Sequence, residues 1–135
     1  MIEFTIPGIP KGKGRPRFSN RGGFVRAYTP KTTQDYEDTI RECYLMQCGE
    51  KNEGALCIEI TGRFTPPKSA TKAQRAAMLN GETPFTHKPD CDNLAKVVLD
   101  ALNGIAYEDD RQITRLSVRK EYAESPEVRV RINHV

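Results

Sequence analysis

Two close pairs of aspartates are the residues of this chain best suited to chemistry. The first pair is Asp90 and Asp92, and the second is Asp109 and Asp110. Carboxylate oxygens are the ligands that hard cations such as Mg²⁺ and Mn²⁺ prefer, whereas zinc favours nitrogen and sulfur. A hard cation also makes several close carboxylates tolerable. We predict that the four aspartates form one cluster that binds Mg²⁺, for which Mn²⁺ can substitute.

The spacing of the first pair determines how its carboxylates point. Pro89 favours extended backbone before it, and if the extension continues through Cys91, the side chains of Asp90 and Asp92 project to the same side. Asp92 also lies at the start of a predicted helix, where an aspartate commonly caps free backbone N–H groups. Capping does not account for Asp90, so a ligand role and a capping role both stay open for Asp92.

The second pair has an alternative interpretation of its own. Glu108, Asp109 and Asp110 are adjacent, and three adjacent acids are typical of a solvated turn. The predicted helix of about 11 residues and the loop after it could bring this turn back to the side of Asp90 and Asp92.

Other kinds of site fail on spacing. A calcium-binding EF-hand loop that begins at Asp90 requires Gly at its sixth position and Glu at its twelfth, where Ala95 and Ala101 stand. A zinc site requires closely spaced Cys and His pairs, and His87 with Cys91 has no second pair nearby. We interpret Cys91 as a core thiol rather than a nucleophile.

Lys96 lies four residues after Asp92 and four before Asp100, so the three residues share one helix face. This spacing is typical of a salt-bridge ladder on a solvated surface. Beside a metal and a phosphate, the same ammonium would stabilise charge that develops on the transferred oxygens. The spacing leaves both roles open.

The charge distribution favours a nucleic-acid substrate. Residues 1–34 contain seven basic residues and one acid, a net charge of +6, whereas residues 88–110 contain two basic residues and six acids, a net charge of −4. A basic surface beside an acidic pocket suits an enzyme that holds a polyanion and binds cations. We expect the basic residues of the Gly-rich segment to contact phosphate rather than pack: Lys11, Lys13, Arg15 and Arg17. Charge scatter and a non-catalytic nucleic-acid-binding module remain alternatives.

These residues must be positioned by a small α/β fold. The length and a hydrophobic content of 37% suit one core, so we predict a single domain over residues 1–135, built as a mixed β-sheet with helices packed on it. The predicted order is a strand over 2–6, a flexible basic loop over about 10–23 leading into a hairpin, a helix over 30–49, a central strand over 55–64, a mobile flap over about 66–89 with a short helix over 72–79, a helix over 94–104, and strands over 112–122 and 127–132.

The sequence also predicts the compartment. No secretory signal and no run of about 20 apolar residues is present, so we expect a cytoplasmic protein with no membrane contact. Its cysteines are irregularly spaced, and we expect them to be reduced: Cys43, Cys48, Cys57 and Cys91.

The motif from Lys88 to Ile113 resembles the signature of the RusA family of Holliday junction resolvases. The resemblance is carried by Asp90-Cys91-Asp92-Asn93, Lys96, Asp100-Ala101-Leu102, Glu108-Asp109-Asp110 and Gln112. It implies a homodimeric, Mg²⁺-dependent endonuclease that cuts branched DNA by symmetrical paired nicks in four-way junctions during recombination and repair. Position by position, it implies catalytic roles for Asp90, Asp92, Lys96 and Asp110, with Asp109 as the neighbouring acid. The segment KGKGRPRF and the flap look like those of phage-associated and Gram-positive members.

Overall fold

The computed structural model describes residues 1–14, 17–23 and 25–135. In this part of the chain it forms a four-stranded sheet, a two-stranded sheet and three α-helices. In chain order the elements are β1 Ile2–Pro7, β2 Arg17–Ser19, β3 Arg26–Tyr28, α1 Lys31–Gln47, β4 Leu56–Phe64, α2 Lys72–Leu79, α3 Cys91–Leu102, β5 Ile113–Tyr122 and β6 Glu127–His134, with short 3-10 turns at Arg21–Gly23 and Asp110–Gln112. The predicted mixed sheet with packed helices is confirmed.

The larger sheet has the strand order β1-β6-β4-β5. Alternate residues of β4 are buried because one side of this central strand faces the core, as Leu56, Ile58 and Ile60 show. β4 pairs antiparallel with β6 and parallel with β5. Parallel neighbours need a long crossover connection, and residues 65–112 with α2 and α3 provide it.

α1 and α3 pack together on one face of this sheet and form the core with it. α3 contributes five apolar residues at spacings of three and four, all fully buried: Leu94, Val97, Val98, Ala101 and Leu102. The start of α3 lies close against β4, because a Cβ on Gly62 would come within 2.8 Å of Leu94 Cδ2. The N-terminal end of α3 is therefore level with the C-terminal part of β4.

The segment predicted as a mobile flap contains the expected helix α2, which buries none of its residues. Its C-terminal part is anchored to the end of the sheet. The Phe85 ring stacks on Phe64 with a centroid distance of 3.8 Å and meets Tyr122 edge-on at 5.2 Å. Lys120 Nζ donates to the carbonyl of His87 at 2.7 Å. The mobility of the segment stays a prediction.

The four cysteines are free, as expected for reduced thiols. Cys91 is exposed, so the interpretation of this residue as a core thiol is wrong. It is the first residue of α3 and lies outside the buried stripe of that helix. In the described part of the chain, no helix has both the length and the apolar character needed to cross a membrane.

Candidate active site

The first aspartate pair lies at the N-terminal end of α3. Asp90 is the residue before the helix, with extended backbone at φ −66° and ψ 154°, and its side chain makes no capping hydrogen bond. Asp92 lies in the first helical turn. The extension therefore ends at Asp90 rather than at Cys91. Of the two roles left open for Asp92, the capping role is excluded, because Asp90 takes the N-cap position. Both carboxylates are exposed, at the helix end where the dipole favours negative charge.

The Gly-rich segment contacts this end of α3 through its backbone. The amide of Lys13 donates to the carbonyl of Asn93 at 2.9 Å. A Cβ on Gly12 would lie 2.8 Å from Pro89 Cβ and 3.0 Å from Asn93 Cβ, so this close approach requires glycine. An open recess of about 510 Å³ lies where the two segments meet. It is lined by Gly12, Lys13, Lys88, Pro89, Asp90 and Asn93.

Lys13 also joins an ion-pair cluster between α1 and α3. Its Nζ lies 2.5 Å from Glu37 Oε1 and 3.4 Å from Asp100 Oδ2, and its side chain is only 15% exposed. Arg41 completes the cluster, with an Nη2 atom 3.5 Å from Glu37 Oε2 and an Nε that donates to the carbonyl of Ala101 at 3.0 Å. The expectation that Lys13 does not pack is therefore wrong. Its carboxylate partners lie on α1 and α3, and both are far from Lys13 in the sequence.

The other predicted phosphate contacts are only partly described. Lys11 is exposed, and its Nζ lies 6.0 Å from the ring centroid of Tyr36. Arg15 lies outside the described residues, as does the side chain of Arg17. Their contacts with phosphate stay a prediction.

Lys96 lies on the exposed face of α3, with a side chain that is 63% exposed. Its Nζ is 3.8 Å from Asp100 Oδ2, the oxygen that also faces Lys13. Among the described residues, Lys96 pairs with Asp100 but not with Asp92, so only one of the two ion pairs of the predicted ladder forms. Its ammonium remains open to a ligand.

The second aspartate pair lies in a turn that Gln112 holds in place. The Gln112 Oε1 atom accepts hydrogen bonds from the amides of Glu108 at 2.8 Å and Asp109 at 3.1 Å. Its Nε2 donates to the carbonyls of Asn52 at 3.1 Å and Gly54 at 3.0 Å, just before β4. Asp109 Oδ1 accepts from the Arg111 amide at 2.9 Å and so caps the 3-10 turn. Asp109 therefore has a structural role, whereas Asp110 is exposed.

Tyr107 fixes this turn to the C-terminal half of α3. Its hydroxyl donates to the carbonyl of Leu99 at 2.6 Å. Burial raises the pKa of Tyr107, and the nearby carboxylates of Asp110, Asp100 and Asp109 raise it further. The hydrogen bond to Leu99 therefore ties the turn that follows Tyr107 to the C-terminal half of α3.

Comparison with known proteins agrees with the motif. Residues 7–133 match the family model described as endodeoxyribonuclease RusA. The chain belongs to the RusA endodeoxyribonuclease family. It is also 34% identical over 140 residues to a Bacillus subtilis (strain 168) protein named "Uncharacterized protein YqaN", a match that covers 99% of this chain and 96% of that protein.

In this RusA-family chain, Asp90 and Asp92 lie at the N-terminal end of α3, whereas the turn of Asp109 and Asp110 is tied through Tyr107 to Leu99 in the C-terminal half of that helix. The helix has 12 residues and is therefore about 18 Å long. Among the residues that the structure describes, no group of three or more His, Cys, Asp or Glu side chains could hold a metal ion. One chain thus does not form the predicted four-aspartate cluster. Asp90 and Asp92 alone still suit Mg²⁺, which commonly takes one or two carboxylates together with substrate phosphates and water.

Two polar residues that organise the site were missed. Glu37 and Asn52 are buried, with 6% and 7% exposure. Asn52 Nδ2 donates to the carbonyl of Ala106 at 2.9 Å and so supports the turn before Tyr107. The spacing gave a signal for Glu37, which lies on the same helix stripe as Thr33, Ile40 and Tyr44.

Proposed function

We propose that this chain is a Mg²⁺-dependent endonuclease that resolves four-way DNA junctions by symmetrical paired nicks, in the cytoplasm, during recombination and repair. Membership of an endodeoxyribonuclease family supports a nuclease. The observation that carries the proposal is the recess at the start of α3, where Asp90 lies beside Lys88 and the docked Gly12–Lys13 segment. Carboxylates next to lysines can hold both a cation and the phosphate that it activates.

In this proposal Asp90 and Asp92 hold the metal, and Asp110 contributes a further carboxylate. Bound Mg²⁺ would lower the pKa of a coordinated water and offset negative charge on the phosphate. Lys96 is four residues from Asp92 with an exposed ammonium, so it can approach the same phosphate and stabilise its developing charge. Phosphate contacts from Lys11, Arg15 and Arg17 would supply most of the DNA affinity.

The test is cleavage of a synthetic four-way junction, mapped on both strands with and without Mg²⁺. We expect Asp90→Asn and Asp110→Asn to abolish cleavage, while junction affinity without metal holds or improves because a negative charge is lost. Lys96→Ala should abolish cleavage without improving affinity. Glu108→Gln is the matched control, because it neutralises an exposed acid of the same turn that pairs with Lys51 at 2.6 Å. Wild-type cutting by Asp90→Asn would refute the assignment.

We propose that the active form is a homodimer, because two-fold symmetrical incisions are most simply made by two copies. The separation of the aspartate pairs supports this step, since a second copy could bring its Asp110 to the Asp90 end of the first. Mixing the Asp90→Asn and Asp110→Asn variants tests it. If each site combines both copies, a mixed dimer keeps one intact site and nicks one strand. If each site lies within one copy, the mixture stays inactive. A monomer mass by light scattering, with and without junction, would refute the dimer.

A non-catalytic binding module for branched DNA is the second candidate. The absence of a three-carboxylate group among the described residues favours it. The two candidates differ in one measurement, because a binding module retains the junction but leaves both strands intact with Mg²⁺ or Mn²⁺.

A further inference from the structure

A second charged recess lies on the face of the four-stranded sheet opposite α1 and α3. On β4, Ile58 and Ile60 face the core, so Glu59, Thr61 and Arg63 face the other side. There β4, β5 and β6 enclose a space of about 130 Å³. Its charged lining consists of four arginines and two glutamates: Arg63, Arg119, Arg129, Arg131, Glu59 and Glu121. We call this space the arginine recess.

The strand register places the arginines around a threonine. Thr61 pairs with Arg129 on β6 and with Arg119 on β5. Neighbouring strands are about 4.8 Å apart, so the Cα atoms of Arg119 and Arg129 are about 10 Å apart with Thr61 between them. Arg63 is two residues farther along β4 on the same face. Three guanidinium groups and one hydroxyl can therefore approach one point.

The carboxylates nearby do not neutralise all of these arginines. Arg129 pairs with Glu3 at 3.4 Å and Glu127 at 3.7 Å, and Arg131 pairs with Glu3 at 3.2 Å. Among the described residues, neither Arg63 nor Arg119 has a carboxylate oxygen within 4.0 Å.

The Nε atom of Arg63 is buried and lacks a hydrogen-bond partner among the described residues. A buried donor without a partner loses its hydration with no compensation. An anionic ligand in the recess would supply the missing acceptor.

We propose that the arginine recess binds a phosphate group through Arg63, Arg119, Arg129 and Thr61. Guanidinium groups form paired hydrogen bonds with phosphate oxygens, and a tetrahedral phosphate offers oxygens to several donors at once. The phosphate belongs either to a nucleic-acid strand or to a free phosphate compound. The sheet separates this recess from the Asp90 end of α3, so the proposal does not depend on the proposed cleavage activity.

The test compares Arg119→Gln with Arg115→Gln. Both remove one positive charge from the same face of β5, but Arg115 does not line the recess. Thr61→Val is a further variant that removes the hydroxyl without changing charge. Each protein is measured in two arms without divalent metal: thermal unfolding with inorganic phosphate against chloride at matched ionic strength, and affinity for a short unbranched DNA duplex across a salt series.

We expect Arg119→Gln to be selectively defective in at least one arm. A nucleic-acid ligand predicts an affinity at least about tenfold weaker and a log–log salt slope smaller by about one unit, with Arg115→Gln close to wild type. A free phosphate ligand predicts that phosphate stabilises wild type and Arg115→Gln but not Arg119→Gln. Thr61→Val should weaken binding in the same arm. Equal losses for both arginine variants, no loss for either, or a change in oligomeric mass with Arg119→Gln would overturn the proposal.

Discussion

Experiment can distinguish between a structural role and a DNA-binding role for Lys13. Its ammonium group lies between Glu37 and Asp100, so Lys13→Met would remove the charge while keeping most of the aliphatic chain. Removing one partner of a fully buried ion pair costs about 3–5 kcal/mol, because the other charge is left uncompensated. Here Arg41 still contacts Glu37 at 3.5 Å, and Asp100 is 31% exposed and keeps Lys96 at 3.8 Å. We therefore expect a loss of about 2 kcal/mol in the free energy of unfolding.

The measurement is urea unfolding at neutral pH, with Lys11→Met as the matched control. Lys11 is an exposed lysine of the same segment, so its replacement should change the free energy of unfolding by less than about 0.5 kcal/mol. Adding Glu37→Gln completes a double-mutant cycle, and we expect a coupling energy of about 1 kcal/mol or more with Lys13→Met.

In DNA binding, the two variants should show the opposite pattern to that in stability. Lys11→Met should lower the log–log salt slope by about one unit, whereas Lys13→Met should leave it nearly unchanged. If Lys13→Met is as stable as Lys11→Met and lowers the slope equally, the structural role is refuted and Lys13 is a phosphate contact.

Three further changes test the packing around the site. Gly12→Ala should weaken junction cleavage and lower stability by about 1–3 kcal/mol, because its Cβ would lie 2.8 Å from Pro89 Cβ; unchanged cleavage would contradict the docked segment. Gly62→Ala should cost a similar amount in urea unfolding, because Leu94 is fully buried and cannot move away freely; a loss below about 0.5 kcal/mol would contradict this. Burial raises the pKa of Tyr36 to about 12, so this residue ionises near pH 10 in the unfolded chain but stays protonated there in the folded chain. Between pH 8 and pH 11, the free energy of unfolding of wild type should therefore fall by about 1.4 kcal/mol more than that of Tyr36→Phe. Equal pH dependence of the two proteins in urea unfolding would contradict it.

The sequence predicted the helices and strands themselves better than it predicted which strands lie side by side. Apolar spacings of three and four located α3, and alternation located the central strand β4, because both patterns report directly which residues are buried. The strand order β1-β6-β4-β5 had no comparable signal, since alternation specifies a buried face but not the strand beside it. Lys13 was misjudged for a related reason. Its glycine neighbours are typical of a flexible loop, while Glu37 and Asp100, which bury it, are far away in sequence.

The placement of the second aspartate pair could not be decided from chain length. Residues 103–109 could span about 24 Å if fully extended, more than the roughly 18 Å length of α3, so a return to Asp90 was sterically allowed. Two side-chain hydrogen bonds prevent this return: the Tyr107 hydroxyl donates to the carbonyl of Leu99, and Gln112 Nε2 donates to the carbonyl of Asn52. They keep the turn beside the C-terminal half of the helix. Bringing Asp110 to Asp90 within one chain would require both contacts to break and the buried Tyr107 to become exposed. In the proposed homodimer, the second copy would supply the carboxylate without that cost, so the mixed-variant experiment tests the proposed metal site directly.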